Sequence, residues 1–250
     1  MPVFLIPQIG RRYYLEPCYY LFIGKRGPKP KGKVEIKWSA NFAYALGLLA
    51  TDGYVSVDGR HVTLTSKDEE QLDNFCRCLN IQVKLSTKSN GNGDLCGHVQ
   101  FSDTLFHNFL CSIGISGAKS KTIGAVKIPN RYFFDFLRGS FDGDGSFYSY
   151  MDSRWEASFM FYTVFASASK KHISWLRTEI KRRLGINGHI TQNANRTVFQ
   201  LKYAKHESLE LLPSIYYGNS AICLSRKRMK VDRVLRMAGL NNSCPGGEIG

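Results

Sequence analysis

The sequence predicts an α+β fold made of two copies of one αββαββα unit. Three observations predict it. Helical and strand-like runs follow one another in a fixed order, helix, hairpin, helix, hairpin, helix. That order begins twice, near Trp38 and again near Pro129. Each beginning carries the same spacing, Gly47-x-x-x-x-Asp52-Gly53 and Gly139-x-x-x-x-Asp144-Gly145. Self-similarity along a chain is the signature of a duplicated architecture.

The elements of the first copy are read in order. Ser39 is placed to cap a helix, and Phe42, Ala45, Leu46 and Leu49 recur at helical spacing until Asp52-Gly53 ends it. In YVSVDGRHVTLTS, Val55, Val57, Val62 and Leu64 are expected on one face, with Tyr54, Ser56, His61, Thr63 and Thr65 on the other. Asp58-Gly59 marks the hairpin turn. DEEQLDNFCRCL reads as a helix, the runs around IQVKLST and CGHVQFS as a second hairpin, and TLFHNFLCSIG as the closing helix.

In the second copy, Asn130 to Arg138 opens a helix ending at Asp144-Gly145. Phe159, Phe161 and Phe165 alternate along a strand, and SKKHISWLRTEIKRRLG is a basic amphipathic helix. Asn187-Gly188 opens the second hairpin, whose return strand has Phe199, Leu201 and Tyr203 inward and Gln200 and Lys202 outward. HESLELLPSIYY is helical as far as the region of Pro213. A second pair of anchors, Ser66-Lys67 and Ser169-Lys170, precedes the second helix of each copy. The expected organisation is an extension over 1–37 with a basic linker, repeats over 38–125 and 126–238, and a tail over 239–250. The stretch GKRGPKPKGK is too basic and too rich in glycine and proline to bury a core.

The 250 residues carry 34 Lys+Arg against 20 Asp+Glu, a net charge of +14 and a pI of about 9.5. A globular chain this basic meets a polyanion, nucleic acid or an anionic membrane surface. No apolar run is long enough to span a bilayer, and basic residues follow the N-terminal apolar run rather than precede it. The chain is therefore read as soluble and non-secreted. Seven cysteines in irregular spacing, with no C-x-x-C pair, argue for reduced thiols rather than a disulfide framework or a zinc site. An EF-hand beginning at Asp142 fails, because Phe147 stands where glycine is required and Ser153 where glutamate is. No phosphate-binding G-x-x-x-x-G-K-[ST] loop is present. No terminal pattern suggests protein splicing.

The repeated helix end carries the chemistry. Gly47 and Thr51, like Gly139 and Gly143, lie four residues apart on one helix face, where small side chains allow two helices to approach. Packed there about a pseudo-two-fold axis, Asp52 and Asp144 come side by side at helix C-termini. Two carboxylates at negative helix ends repel each other and call for a cation. An all-oxygen pair suits Mg²⁺, and divalent ions there serve phosphodiester cleavage.

These residues carry a resemblance. ALGLLATDGYV (45–55) and FLRGSFDGDGSF (136–147) resemble the two signature helices of single-chain, two-repeat LAGLIDADG homing endonucleases. The second matches at Leu137, Gly139, Phe141, Asp142, Asp144 and Gly145. The first departs from it, with Ala50 and Thr51 where the name-giving motif has Asp and Ala. The likeness covers about residues 38–235. It implies two antiparallel sheets forming a saddle over double-stranded DNA, with Asp52 and Asp144 as metal-binding catalytic acids and the carbonyls of Thr51 and Gly143 as further metal ligands. It implies a catalytic role beside the scissile phosphates for Lys67 and Lys170, with Lys171 a rival to Lys170 and with Ser66 and Ser169 nearby. Lys119, Lys121 and Lys227 are basic candidates for phosphate-backbone contact.

A two-stranded ribbon fits the DNA major groove and reads base edges with outward side chains. The candidates are Tyr54, Ser56, Arg60, His61, Thr63, Thr65, Lys84, Ser86 and Lys88 in the first copy. In the second they are Arg154, Glu156, Ser158, Thr191, Asn193, Asn195, Gln200 and Lys202. The expected function is Mg²⁺-dependent, site-specific double-strand cleavage by a monomer with no membrane partner. The rival readings are an RNA-binding maturase of its own intron and a DNA-binding regulator of the same fold without cleavage. Retention of both acids argues against the regulator. The compartment stays open between an organelle (mitochondrion or chloroplast) and a bacterial or archaeal cytoplasm.

Overall fold

The computed structural model describes residues 32–239 except 90–92, 94, 118, 152–158 and 193–196; for Lys119 and Ser120 it describes the backbone alone. The first half runs α1 (Ala40–Thr51), β1 (Gly53–Val55), β2 (His61–Ser66), α2 (Glu69–Leu79), β3 (Ser86–Ser89), β4 (Leu95–Ser102), α3 (Thr104–Ile113) and the short α4 (Lys119–Thr122). After a 3₁₀ turn at Asn130–Tyr132 the order returns. The second half has α5 (Phe133–Asp144), β5 (Ser146–Met151), β6 (Phe159–Ser167), α6 (Lys170–Leu184), β7 (His189–Gln192), β8 (Phe199–Tyr203), α7 (Lys205–Ile215) and α8 (Ser225–Met237). Each half holds a four-stranded antiparallel sheet, in the orders β1-β2-β4-β3 and β5-β6-β8-β7. The fold is the mixed α+β duplication that the sequence predicts, with α4 and α8 added after the seven-element unit.

Alternation sets which face of each sheet meets the helices. Val62 pairs with Phe101 and Leu64 with Val99, and all four are buried. In the second sheet Phe165 pairs with Leu201 and Thr163 with Tyr203, again all buried. Helices α2 and α6 cover these faces; on the opposite faces Tyr54, Ser86 and Lys88 are exposed, whereas Thr63, Cys96 and Val164 are buried. Val57 departs from the expected inward pattern and is 87% exposed. Strand β1 stops at Val55, and the Ser56 N–H closes the hairpin on the His61 carbonyl at 3.0 Å, so Val57 stands in the turn. Val34, inside the expected linker, is buried. Its N–H and that of Lys33 donate to Asp103, at 2.9 and 2.6 Å.

Helices α1 and α5 form the centre of the molecule. Ser39 caps α1 as expected, its hydroxyl accepting the Phe42 N–H at 3.0 Å. Residues Phe42 to Ala50 are all buried, because α1 meets both its own sheet and α5. A Cβ on Gly47 would lie 2.2 Å from the Phe136 carbonyl oxygen, and one on Gly139 would lie 2.1 Å from that of Tyr44. Only glycine lets the two backbones cross this closely.

The chain then ties the halves together a second time. Asp142 is buried on α5 and accepts from the Tyr44 hydroxyl (2.8 Å), the Tyr216 hydroxyl (2.6 Å) and the Leu224 N–H (2.7 Å). From there the start of α8 reaches the first half. Asn74 donates to the Cys223 carbonyl at 3.0 Å, and Arg226 forks onto Asp68 at 2.9 and 2.6 Å. Among the described residues the cysteines are free thiols, and no helix is long and apolar enough to cross a membrane.

Candidate functional site

The glycine crossing brings the two acids together. Asp52 is the C-cap of α1, its N–H bonded to the Leu48 carbonyl at 2.9 Å, and Asp144 ends α5. A Cβ on Gly143 would lie 2.0 Å from Thr51 Oγ1 and 2.9 Å from Asp52 Oδ2, so the two helix C-termini touch. Thr51 turns its hydroxyl back onto the carbonyls of Leu48 (3.0 Å) and Gly47 (3.3 Å). Asp144 is exposed and Asp52 half-buried. Like charges converge on one solvent-facing point at the negative ends of two helices.

Asp52 has a supporting partner that sequence reasoning missed. Gln71 Nε2 donates to Asp52 Oδ2 at 2.7 Å, and the Ser66 hydroxyl donates to Gln71 Oε1 at 3.2 Å. Gln71 stands three residues after the N-cap Asp68, the spacing of a capping box, in which it would turn back to the Asp68 N–H. Ser66 Oγ takes that N–H instead, at 3.0 Å, and the buried Gln71 amide is left to hold Asp52.

The donor set tests which ion fits. Around Asp52 and Asp144 it consists of the two carboxylates, because Gln71 turns its amide NH₂ to Asp52 and its Oε1 to Ser66. Among the described residues no group of three or more His, Cys, Asp and Glu is placed to hold a metal. Two carboxylates are the ligand type that a hard cation such as Mg²⁺ takes, since it binds through one or two carboxylates and keeps several waters.

Lys227 is a correction. Expected on the phosphate backbone, it is 8% exposed. Its ammonium lies within hydrogen-bond reach of the carbonyls of Phe141 (2.6 Å), Asp142 (2.8 Å), Gly143 (3.1 Å) and Gly145 (2.6 Å), which share its three N–H groups. It caps the carbonyl end of α5 beneath the acids, where a cation meets the helix dipole favourably. Burial lowers its pKa to about 8, against the opposing pull of Asp142. The Gly143 carbonyl, expected to face a metal, already accepts from this ammonium. Nothing local in LSRKRMK distinguishes Lys227 from its exposed neighbours Arg226 and Lys230; the tertiary fold alone buries it.

Lys67 is exposed at the end of β2. Lys170 and Lys171 are exposed too, but they lie on the first turn of α6, beyond its cap. Ser169 is that cap, buried, its hydroxyl donating to the Ile123 carbonyl.

The outer face of the first sheet gathers Tyr54, Thr63, Thr65, Ser86 and Lys88. It adds His98 and Gln100, which are opposite Thr65 and Thr63. Those two were missed although CGHVQFS alternates them with inward Val99 and Phe101. Thr63 points to this face but is covered, at 9% exposed. Thr65 bonds His98 at 3.2 Å. Ser56, Arg60 and His61 lie at the β1–β2 turn, where Arg60 (3.4 Å) and His61 both pair with Asp58. Lys84 is exposed just before β3, and Lys121 is exposed on α4.

In the second sheet Thr191, Gln200 and Lys202 share the outer face with His189. The sequence reading missed the tyrosines beside them: Tyr148 stacks on Tyr162, ring centroids 5.2 Å apart. Arg154, Glu156, Ser158, Asn193, Asn195 and the side chain of Lys119 lie outside the described residues.

The chain matches no protein-family model and no curated protein sequence. Its fold does match solved structures. The meganuclease I-SmaMI bound to uncleaveable DNA aligns at a TM-score of 0.55 with 12% identity, over 81% of this chain and 92% of that one. The LAGLIDADG homing endonuclease I-GzeII in complex with its DNA target aligns at 0.54 with 13% identity, over 80% and 91%. Full-length DUF199/WhiA from Thermatoga maritima aligns at 0.51 with 15% identity, over 83% of this chain and 64% of that one. At such identities the likeness shows the fold and leaves activity to be argued from the site. That fold is the two-repeat α+β architecture of the LAGLIDADG homing endonucleases.

Proposed function

We propose that this protein is a site-specific endonuclease that hydrolyses both strands of a long double-stranded DNA target. The observation that carries the reading is the meeting of Asp52 and Asp144 at the touching C-termini of α1 and α5. A DNA-binding regulator gains nothing from crowding two carboxylates, one of them held by a buried glutamine, on a surface facing a polyanion. The structures of I-SmaMI and I-GzeII support the DNA partner, since each of those relatives in fold is seen on DNA.

The outer faces of the two sheets supply the binding surface, with Lys88 and Lys202 placed for phosphates and Gln100 and Gln200 for base edges. The acids would hold Mg²⁺, which, when bound, would acidify water and offset charge on the phosphate. Gln71 fixes the rotamer of Asp52, Lys227 neutralises the carbonyl end of α5 beneath the acids, and Lys67 faces the phosphate from the strand end. With both halves in one chain, a monomer suffices.

The test begins with a library of duplex sites, to recover one that is cut. Asp52→Asn and Asp144→Asn should then lower cleavage at least about a hundredfold, the scale on which a group stabilising transition-state charge acts. Binding in Ca²⁺ should be retained. Parental cleavage by either variant rejects the assignment.

A further inference from the structure

The second sheet carries aromatic rings where the first carries polar groups. Four residues beyond Asp144 stands Tyr148, and four beyond Asp52 stands Ser56. Tyr148 pairs across β5 and β6 with Tyr162, whereas Ser56 meets His61. Alternation puts Tyr148, Tyr150 and Tyr162 on the face turned away from α6. Their rings form one stack with Tyr162 in the middle. Its ring centroid lies 5.2 Å from that of Tyr148 and 6.4 Å from that of Tyr150, with the planes tilted by 18° and 7°. Tyr148 and Tyr150 are each 43% exposed.

Beside this stack the same face opens into a cavity of about 370 Å³, bounded by Tyr162, His189, Thr191, Lys202 and Glu207. That volume lies in the range of small-ligand pockets, about 300–1,000 Å³. His189 and Lys202 are partners across β7 and β8. Glu207 accepts the N–H groups of Asn187 and Gly188, each at 2.9 Å, so its charge is partly met by backbone. The site joins an aromatic stack to an ammonium and a threonine hydroxyl. Ring faces attract ring faces. A paired duplex hides its base faces between neighbouring bases and shows only their edges in its grooves. An unpaired strand offers both partners, bases for the rings and phosphates for the ammonium.

We propose that the second sheet binds an unpaired strand of nucleic acid. One base continues the ring stack at Tyr148, and a neighbouring nucleotide sits in the cavity with its phosphate on Lys202. The site lies away from the acids, because β5 leaves Asp144 at Ser146 and the ring stack begins further along it, where Tyr148 faces Tyr162. Gln200, opposite Ala166 near the end of β6, stays available to a duplex, and Lys202 serves the phosphates of either strand form. The site needs neither Mg²⁺ nor the acids, so it goes beyond the cleavage reading and does not rest on it.

The experiment titrates labelled oligonucleotides of about ten nucleotides by fluorescence anisotropy in EDTA. The probes are a deoxy strand, a ribo strand, the deoxy strand annealed to its complement, and an abasic strand with the same number of phosphates. The parent should bind an unpaired strand at least about tenfold more tightly than the abasic one, and the tighter of the deoxy and ribo arms identifies the sugar that the site takes. Tyr148→Ala should weaken that binding about tenfold and Tyr148→Phe should keep it, with duplex affinity within about threefold of the parent in both. Lys202→Met should lower the single-strand slope of log affinity against log salt by about 0.7. Asp52→Asn should bind the unpaired strand as the parent does, which separates this site from the fate of the cleavage reading. The proposal is overturned if the parent binds neither unpaired strand, or binds the abasic strand as tightly. It is overturned too if Tyr148→Ala keeps parental affinity or weakens duplex and unpaired strand alike. Tyr148 is exposed, a melt checks that its variants fold, and the abasic comparison needs no variant at all.

Discussion

At the scale of single residues, burial separates cations that look alike in the sequence. Lys227 serves helix carbonyls, whereas Lys84 and Lys88 are exposed beside the outer face of the first sheet. Replacing Lys227 by Met leaves several carbonyls at the end of α5 without their donor. Unsatisfied buried groups cost about 1–3 kcal/mol each, so a loss of about 2–3 kcal/mol is expected in a denaturant melt. The dependence of DNA affinity on salt should stay parental, because no phosphate contact is lost. Lys88→Ala should do the reverse, leaving the melt unchanged while lowering the slope of log affinity against log salt by about 0.9. A Lys227→Met protein that melts like the parent but loses salt slope would return that residue to the backbone role first assigned to it.

At the scale of elements, the α1–α5 seam and the start of α8 hold the geometry. The clash at Gly47 and Gly139 is against backbone, which cannot swing aside as a flexible side chain does. Gly139→Ala should cost at least about 1–3 kcal/mol of stability and reduce cleavage more than DNA binding, since it spreads the acids. Parental stability and cutting would show that the seam tolerates separation.

Arg226 ties α8 to the cap of α2, and its hydrogen bonds hold the Asp68 carboxyl below its usual pKa. A carboxylate with a depressed folded pKa stabilises the fold above its unfolded value, 3.8, and loses that contribution as pH falls through the folded one. Asp68→Asn should therefore lower the melting temperature at pH 7 and lose its effect in acid below the range where Asp68 protonates. The pair is exposed, and surface pairs are worth about 0–1 kcal/mol. An Asp68→Asn penalty that persists unchanged in strong acid would assign it to something other than this ion pair.

At the scale of the whole molecule, the two sheet faces turned away from α2 and α6 differ in chemistry. The first mixes hydroxyls with His98 and Gln100, and the second adds stacked Tyr148 and Tyr162 to Lys202, Gln200 and Thr191. Substitution of Gln100 by Ala should relax preference at one or two base pairs, by about 1–3 kcal/mol for a bidentate contact. Arg60 belongs to a different class, since Asp58 already pairs with it at the hairpin turn. Titration on matched and single-mismatch duplexes separates the two. Equal weakening by Gln100→Ala on every sequence would make it a backbone contact.

What the sequence determined by itself was most of what has a short period or a fixed spacing, Val57 at the hairpin turn excepted. Alternation placed Val62, Leu64, Leu201 and Tyr203 inward, and helical spacing with Ser39 and Asp52-Gly53 bounded α1. The doubled Gly-x-x-x-x-Asp-Gly signature located both acids and the seam between the halves. Such features depend on neighbours a few residues away, so local steric rules suffice to read them. The tertiary structure alone decided what depends on residues far apart in the chain. It buried Lys227 under α5, released Gln71 to Asp52 through Ser66, and set His172 Nδ1 on the Gly124 carbonyl at 2.8 Å. It also matched Ala168 to Lys67, where similarity of letters pointed to Lys170, because the Ser66 hydroxyl accepts the Asp68 N–H and the Ser167 hydroxyl accepts the Ser169 N–H. A repeated Ser-Lys dipeptide is one accident among many in 250 residues. A hydroxyl that accepts the N–H two residues on, at the same strand end in both halves, is a geometric constraint that a shared fold imposes.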